Sequence, residues 1–251
     1  MRAHQTNEES GVFPHQEQHL TGGRYIRPIV YGGLDGICTT FAIVAAAAGS
    51  DLTTTVVLVL GIANVIADGI SMGIGDFLST RAENEYNCRE RLREEWETEN
   101  YIEGEKTEMI ELYVKKGLSP DDAKTVIDIL SKNKSIFVDF MMVEELGILE
   151  DADSSPLKSA TVTFLSFCIF GFVPLLAYIC GGERISPSTK FYITIALTAI
   201  TMFMLGIVKA RFSHLNWILS GMQVLVIGAC SAGSAYLIGW IGAVIIGGNI
   251  C

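Results

Sequence analysis

The stretch ADGISMGIGDFLSTRAENEY, Ala67 to Tyr86, begins inside an apolar run and ends in open charge. Its polar positions keep a helical spacing: Asn64 just upstream, then Asp68, Met72 and Asp76, each four residues after the last. Four residues advance an α-helix by about 400°, so these side chains form one stripe that drifts only about 40° per step. A helix of membrane length with acids and a thioether on one side, running on into glutamates, reads as a membrane path joined to a soluble segment.

Composition supports that reading. Of 251 residues, 49% are hydrophobic, more than one or two soluble domains of this length need, and several membrane spans are indicated. At about 20 residues per crossing, four windows are clear: Pro28 to Ala48, Thr54 to Gly75, Ser159 to Ile179 and Phe191 to Val208. A fifth lies in Trp217 to Ile246, long enough for one tilted helix and too short for two crossings with a loop. The expected fold is therefore all-α. It has five transmembrane spans, with a cytosolic three-helix metal-binding module between spans two and three. The divisions are a tail (1–27), spans one and two (28–78), the module (79–158) and spans three to five (159–251).

The first 27 residues lack the apolar core of a cleaved signal and read as a soluble tail before a permanent anchor. Basic residues set the orientation. Sixteen Lys and Arg fall on the side of the tail and the large loop, against Arg184 and Lys190 on the other. The positive-inside rule then places the tail and loop in the cytosol and the carboxyl end in the lumen. The six cysteines (Cys38, Cys88, Cys168, Cys180, Cys230 and Cys251) contain no CxxC pair and imply neither a disulfide framework nor a zinc finger.

The large loop holds 20 of the 28 acidic residues, so the net charge of −10 is concentrated there. From Glu83 to Glu111 there are eleven glutamates, no aspartate, no proline and a single glycine, Gly104. This predicts one long helix continuing out of the second span, with a stop at Gly117. Ser119-Pro120 is a cap-and-first-turn signal for a helix over PDDAKTVIDILSKN. A third helix, SIFVDFMMVEELGI, ends near Gly147, and the linker LEDADSSP returns to the membrane.

Within these elements a few residues carry chemistry. Asp35 lies about 10 Å into the first span, where an ionised carboxylate costs about 2.5 to 3.5 kcal/mol and ordinarily faces a pathway, a partner or water. Bonding to a neighbouring helix is the alternative. Gly32 and Gly36 beside it permit close helix approach. On the second span, Asp68 and Met72 rank above Asp76, for which interfacial hydration is sufficient. In the loop, Glu94 with Glu97 and Glu105 with Glu108 are i, i+3 pairs, each on one helix face. Met141 and Met142 precede Glu145 by four and three residues, so thioether and carboxylate can share a face; a core role for both methionines is the alternative. Oxygen mixed with soft sulfur suits a borderline divalent ion such as Fe²⁺, with Mn²⁺, Co²⁺ and Zn²⁺ also compatible.

Several classes are disfavoured. No P-loop supports ATP-driven pumping. Ser220-Gly221 lacks the fuller motif of an intramembrane serine protease. A ferroxidase site normally includes Glu-x-x-His, and the loop contains no histidine. His4, His15 and His19 lie in the polar tail and His214 in a loop.

The chain resembles the vacuolar iron transporters of plants, fungi and protozoa. The resemblance rests on YGGLDG in the first span, ADGISMGIGDFLS in the second, SPLKSATVTFLSFCIFGFVPLL entering the third, LGIVKARFS ending the fourth and GACSAGSAYLIGWIGAVIIG in the fifth. It implies a homodimer in the lipid bilayer of a vacuole or other acidic organelle, exchanging cytosolic Fe²⁺ for lumenal H⁺, with no permanently bound cofactor, no nucleic-acid partner and no enzymatic activity. It further implies Asp35 and Met72 as translocation ligands, and Glu94, Glu97, Glu105, Glu108, Met141, Met142 and Glu145 as the cytosolic metal site. Where the plant pattern has an acid eight residues before the methionine, this chain has Asn64, which leaves proton coupling to Asp35 alone or shared with Asp68. The rival reading is a membrane-anchored metal sensor or buffer, which needs no acid buried in a span.

Overall fold

The computed structural model describes residues 25–149, 155–181, 185–213 and 216–247, and every regular element among them is helical. In chain order these are α1 (Ile26–Gly49), α2 (Thr54–Asn100), α3 (Ile102–Lys115), α4 (Pro120–Leu130), α5 (Lys134–Glu144), α6 (Pro156–Phe172), α7 (Leu176–Gly181), α8 (Pro187–Ser213) and α9 (Trp217–Gly247). His4, His15, His19, Arg184, His214, Cys251 and most of the linker after Leu149 lie outside the described residues.

Five stretches are long and apolar enough to cross a membrane: α1, part of α2, Pro156–Gly181, Pro187–Arg211 and Trp217–Ile245. These are the five expected spans, with the fourth beginning before Phe191. The third is α6 joined to α7 through a 3-10 turn, Val173–Leu175. Pro174 supplies the reason, since it removes one N–H from the helical ladder. Its carbonyl accepts the Thr194 hydroxyl from α8 at 3.1 Å. The fifth span is a single helix, as its length requires.

α1 is the central element, packed against α2, α6, α8 and α9. Its glycines let the backbones meet: a Cβ at Gly36 would sit 2.4 Å from the Phe167 carbonyl oxygen, and one at Gly32 would sit 2.6 Å from that of Thr163. The Ser166 hydroxyl donates to the Ile29 carbonyl at 2.7 Å across the same seam. Val44, Val57, Val65 and Leu175 close the apolar core between α1, α2 and the third span. An adjoining side of α2 presents Ile62, Ile66, Ile70, Ile74 and Leu78, all exposed on the isolated chain.

With 47 residues, α2 is roughly 70 Å long at 1.5 Å per residue, more than twice the hydrocarbon thickness of about 30 Å. It therefore continues out of the apolar layer. It does not reach Glu111 as one helix, however, which corrects the expectation of an unbroken rod. Tyr101 leaves helical geometry at φ −138° and ψ 36°. Asn100, a poor helix former whose amide competes for backbone groups, donates its side-chain N–H to the Trp96 carbonyl at 2.7 Å.

Beyond the break the local signals hold. Gly117, at φ +108°, follows the end of α3, and Gly147, at φ +68°, follows α5, both in the left-handed region that glycine tolerates. The Ser119 hydroxyl accepts the Asp122 N–H at 3.2 Å to cap α4. Met109, Ile127, Phe137 and Met141 form the apolar cluster that joins α3, α4 and α5. Arg91 of α2 bonds Asp139 of α5 at 2.6 Å, and Lys106 of α3 pairs with Asp128 of α4 at 3.5 Å.

Candidate functional site

At the far end of α2 the break turns α3 back, and glutamates from three elements meet. Carboxylate oxygens of Glu94, Glu97 and Glu105 lie within 4.8 Å of one another, and so do those of Glu105, Glu108 and Glu145. Glu105 belongs to both groups, so the five form one continuous oxygen-rich surface. Glu94 is 4% exposed and Glu105 is 7% exposed, unusual burial for carboxylates. One oxygen of Glu94 is buried with no hydrogen-bond partner.

Like charge and burial disfavour ionisation here. Burial, then the neighbouring Glu145, Glu105 and Glu97, pushes Glu94 up to about 7. Burial, then Glu108, Glu97 and Glu145, does the same to Glu105, also to about 7. Glu145 shifts upward for the same reasons, burial first. The nearby cation Arg93 pairs with Glu97 at 3.2 Å and offsets the rise at Glu94, Glu105 and Glu145 only in part. Such a cluster could hold a divalent ion, which would relieve the repulsion and give the orphaned oxygen a partner.

Both methionines are buried. Met141 is part of the apolar cluster with Met109, Ile127 and Phe137, and its sulfur lies 4.0 Å from the Thr98 hydroxyl, one turn beyond Glu94 on α2. The thioether thus stands at the boundary between the core and the acidic surface.

Nearer the membrane, Met72 and Asp76 border a cavity of about 600 Å³ together with Tyr31, Glu83 and Ser159. Asp76 has a buried oxygen without a partner, and Asn64 has a buried amide nitrogen without one. The structure thus groups Met72 with Asp76, which sequence reasoning had ranked below Asp68. Asp35 is exposed on the isolated chain and lies within Coulomb reach of Asp68. Glu83 was missed as a bordering residue. Its signal was available, since positions 72, 76, 80, 83 and 87 recur at helical spacing along α2.

The VIT family matches residues 26–240. A vacuolar iron transporter of Toxoplasma gondii is 40% identical over 243 residues, covering 94% of this chain and 80% of that protein. That of Plasmodium falciparum is 35% identical, covering 90% and 85%, and vacuolar iron transporter 1 of Arabidopsis thaliana is 31% identical, covering 88% of each. These names indicate a transporter rather than an enzyme. A five-span helical chain matched over most of its length at these identities belongs to the vacuolar iron transporter (VIT) family.

Proposed function

We propose that this protein carries Fe²⁺ from the cytosol into a vacuole or similar acidic organelle in exchange for H⁺, with Mn²⁺, Co²⁺ and Zn²⁺ as further candidate cargo. The observation that supports it best is the single helix α2, which bears Glu94 and Glu97 at one end and Met72 and Asp76 near the membrane. In this reading residues 79–158 form a cytosolic collecting module. Glu94, Glu97, Glu105, Glu108 and Glu145 supply oxygen donors, and Met141 and Met142 supply softer sulfur. The ion then passes by the cavity to Met72 and Asp35, with Asp68 and Asn64 further along the stripe.

Coupling follows from competition at one carboxylate. Asp35 can hold a proton or help hold a cation, and a site that must release one to take the other exchanges them. Its exposure on the single chain fits a path completed by a second subunit, with the apolar face Ile62, Ile66, Ile70 and Ile74 meeting that subunit or lipid.

The test is Fe²⁺ uptake, with simultaneous proton efflux, by proteoliposomes with an acidic lumen. Wild-type protein should show both fluxes, and Asp35→Ala should lose them while retaining Fe²⁺ binding at the glutamate cluster. Undiminished uptake by Asp35→Ala would sink the role assigned to that residue. Metal binding without any uptake by the wild type would favour a sensor or buffer.

A further inference from the structure

A second large cavity lies beside the one at Met72, between α1, α8 and α9. It has a volume of about 1020 Å³, and its walls include Leu34, Leu205, Met222 and Val226, with Arg27 and Lys209 as the cations in its lining. Arg27 is near the start of α1 and Lys209 near the end of α8, so both mark the end of the bundle that also carries the acidic helices. From Arg27 to Leu34 the groove runs about 10 Å along α1, and from Leu219 to Ile227 about 12 Å along α9. Half of the hydrocarbon core is about 15 Å. The groove therefore matches one leaflet in depth, with charge at its surface end.

Arg27 is exposed and Lys209 half-buried, so both are open to an anion at the surface end of the groove. No described carboxylate pairs with Arg27 or Lys209. The same three helices enclose another apolar cavity, of about 480 Å³, bordered by Phe41, Phe191 and Tyr236 and lined by no charged residue. The larger groove differs in carrying two cations at one end of an apolar lining. Basic pockets between membrane helices have this chemistry.

We propose that the groove binds one anionic glycerophospholipid of the surrounding bilayer. An acyl chain lies along Leu34, Leu205 and Val226, and the phosphate sits between Arg27 and Lys209. Arg27 also borders the cavity of Met72, so the bound headgroup is placed next to the metal path without being part of it.

Native mass spectrometry of the full-length protein in neutral detergent tests this, with phosphatidylglycerol and phosphatidylcholine of identical acyl chains in equal amounts. Wild-type protein should retain phosphatidylglycerol preferentially. Arg27→Gln with Lys209→Gln should reduce that preference about 10-fold or more, and Lys209→Gln alone should reduce it by less. Arg27→Lys with Lys209→Arg should keep it. Val226→Trp should lower retention of both lipids by filling the groove. An unchanged preference in the double glutamine variant overturns the proposal. So does equal competition by glycerophosphate lacking acyl chains, which would mean a free-anion site. Efficient disulfide cross-linking of Met222→Cys between two copies, with no lipid retained, would assign the groove to a second subunit instead.

Discussion

The carboxylates of Glu94 on α2 and Glu105 on α3 approach within 4.8 Å, although an unbroken helix would hold residues eleven positions apart about 16 Å from each other along its axis. The break at Tyr101 makes the difference. It turns a chain of separate i, i+3 pairs into one three-dimensional cluster.

The geometry of that turn should therefore control metal affinity. Replacing Asn100, Tyr101 and Gly104 together with alanine favours a continuous helix and should weaken Fe²⁺ or Mn²⁺ binding at least about 10-fold, equivalent to about 1.4 kcal/mol. Isothermal titration of the full protein, with circular dichroism to confirm added helix, checks this. Unaltered affinity in a demonstrably straightened α2–α3 would refute it.

Glu94 and Glu105 ionise near 7 rather than 4.5, so metal binding should be strongly pH-dependent. Cation binding requires the ionised carboxylates and must displace their protons. Affinity should fall as pH drops from 8 to 6, and binding near pH 6.5 should release more protons than binding at pH 8.5. Titration in buffers of different ionisation enthalpy measures the released protons directly.

The same shifts make a stability prediction of opposite sign. In both groups the folded state holds its proton more tightly than the unfolded state, so between about 4.5 and 7 it binds more protons, and stability falls as pH rises. Without metal, amide protection around the break between α2 and α3 should thus be greater at pH 5 than at pH 7.5. Glu94→Gln should raise protection at pH 7.5 while weakening metal binding, a combination that a purely structural carboxylate would not give. Hydrogen exchange with and without Mn²⁺ reads both effects.

The seam between α1 and α6 has no room for a side chain. Gly36→Val should place carbon against the Phe167 carbonyl, which a Cβ would already approach to 2.4 Å. Overpacking of this kind costs about 1 to 3 kcal/mol or more. The expected outcome is a lower thermal midpoint in detergent, measured by fluorescence-detected size exclusion, with Gly75→Ala, where nothing lies within 4 Å of an added Cβ, as the tolerated control.

At the cavity, Met72→Ala and Asp76→Asn should each slow Fe²⁺ uptake into proteoliposomes by about 10-fold or more, the effect of losing roughly 1.4 kcal/mol at one ligand. Binding at the glutamate cluster should persist in both. If Asp76→Asn transports normally while Asp68→Asn does not, the ranking that sequence spacing suggested is the correct one.

Read along the chain, the sequence determined the five spans, the continuation of α2 beyond its span, the caps at Ser119 and Gly117, and the set of acids and thioethers on each helix face. These features are local. Hydropathy over about 20 residues, a 3.6-residue period and a capping side chain all leave their mark within one segment. Only the tertiary structure decided that Glu105 meets Glu94 and that Met72 shares its cavity with Asp76. It also decided that Met141 stands at the edge of the core formed with Phe137 and Met109. Those outcomes depend on the angle taken at Tyr101 and on packing between helices far apart in sequence. No periodicity within a single helix encodes either one.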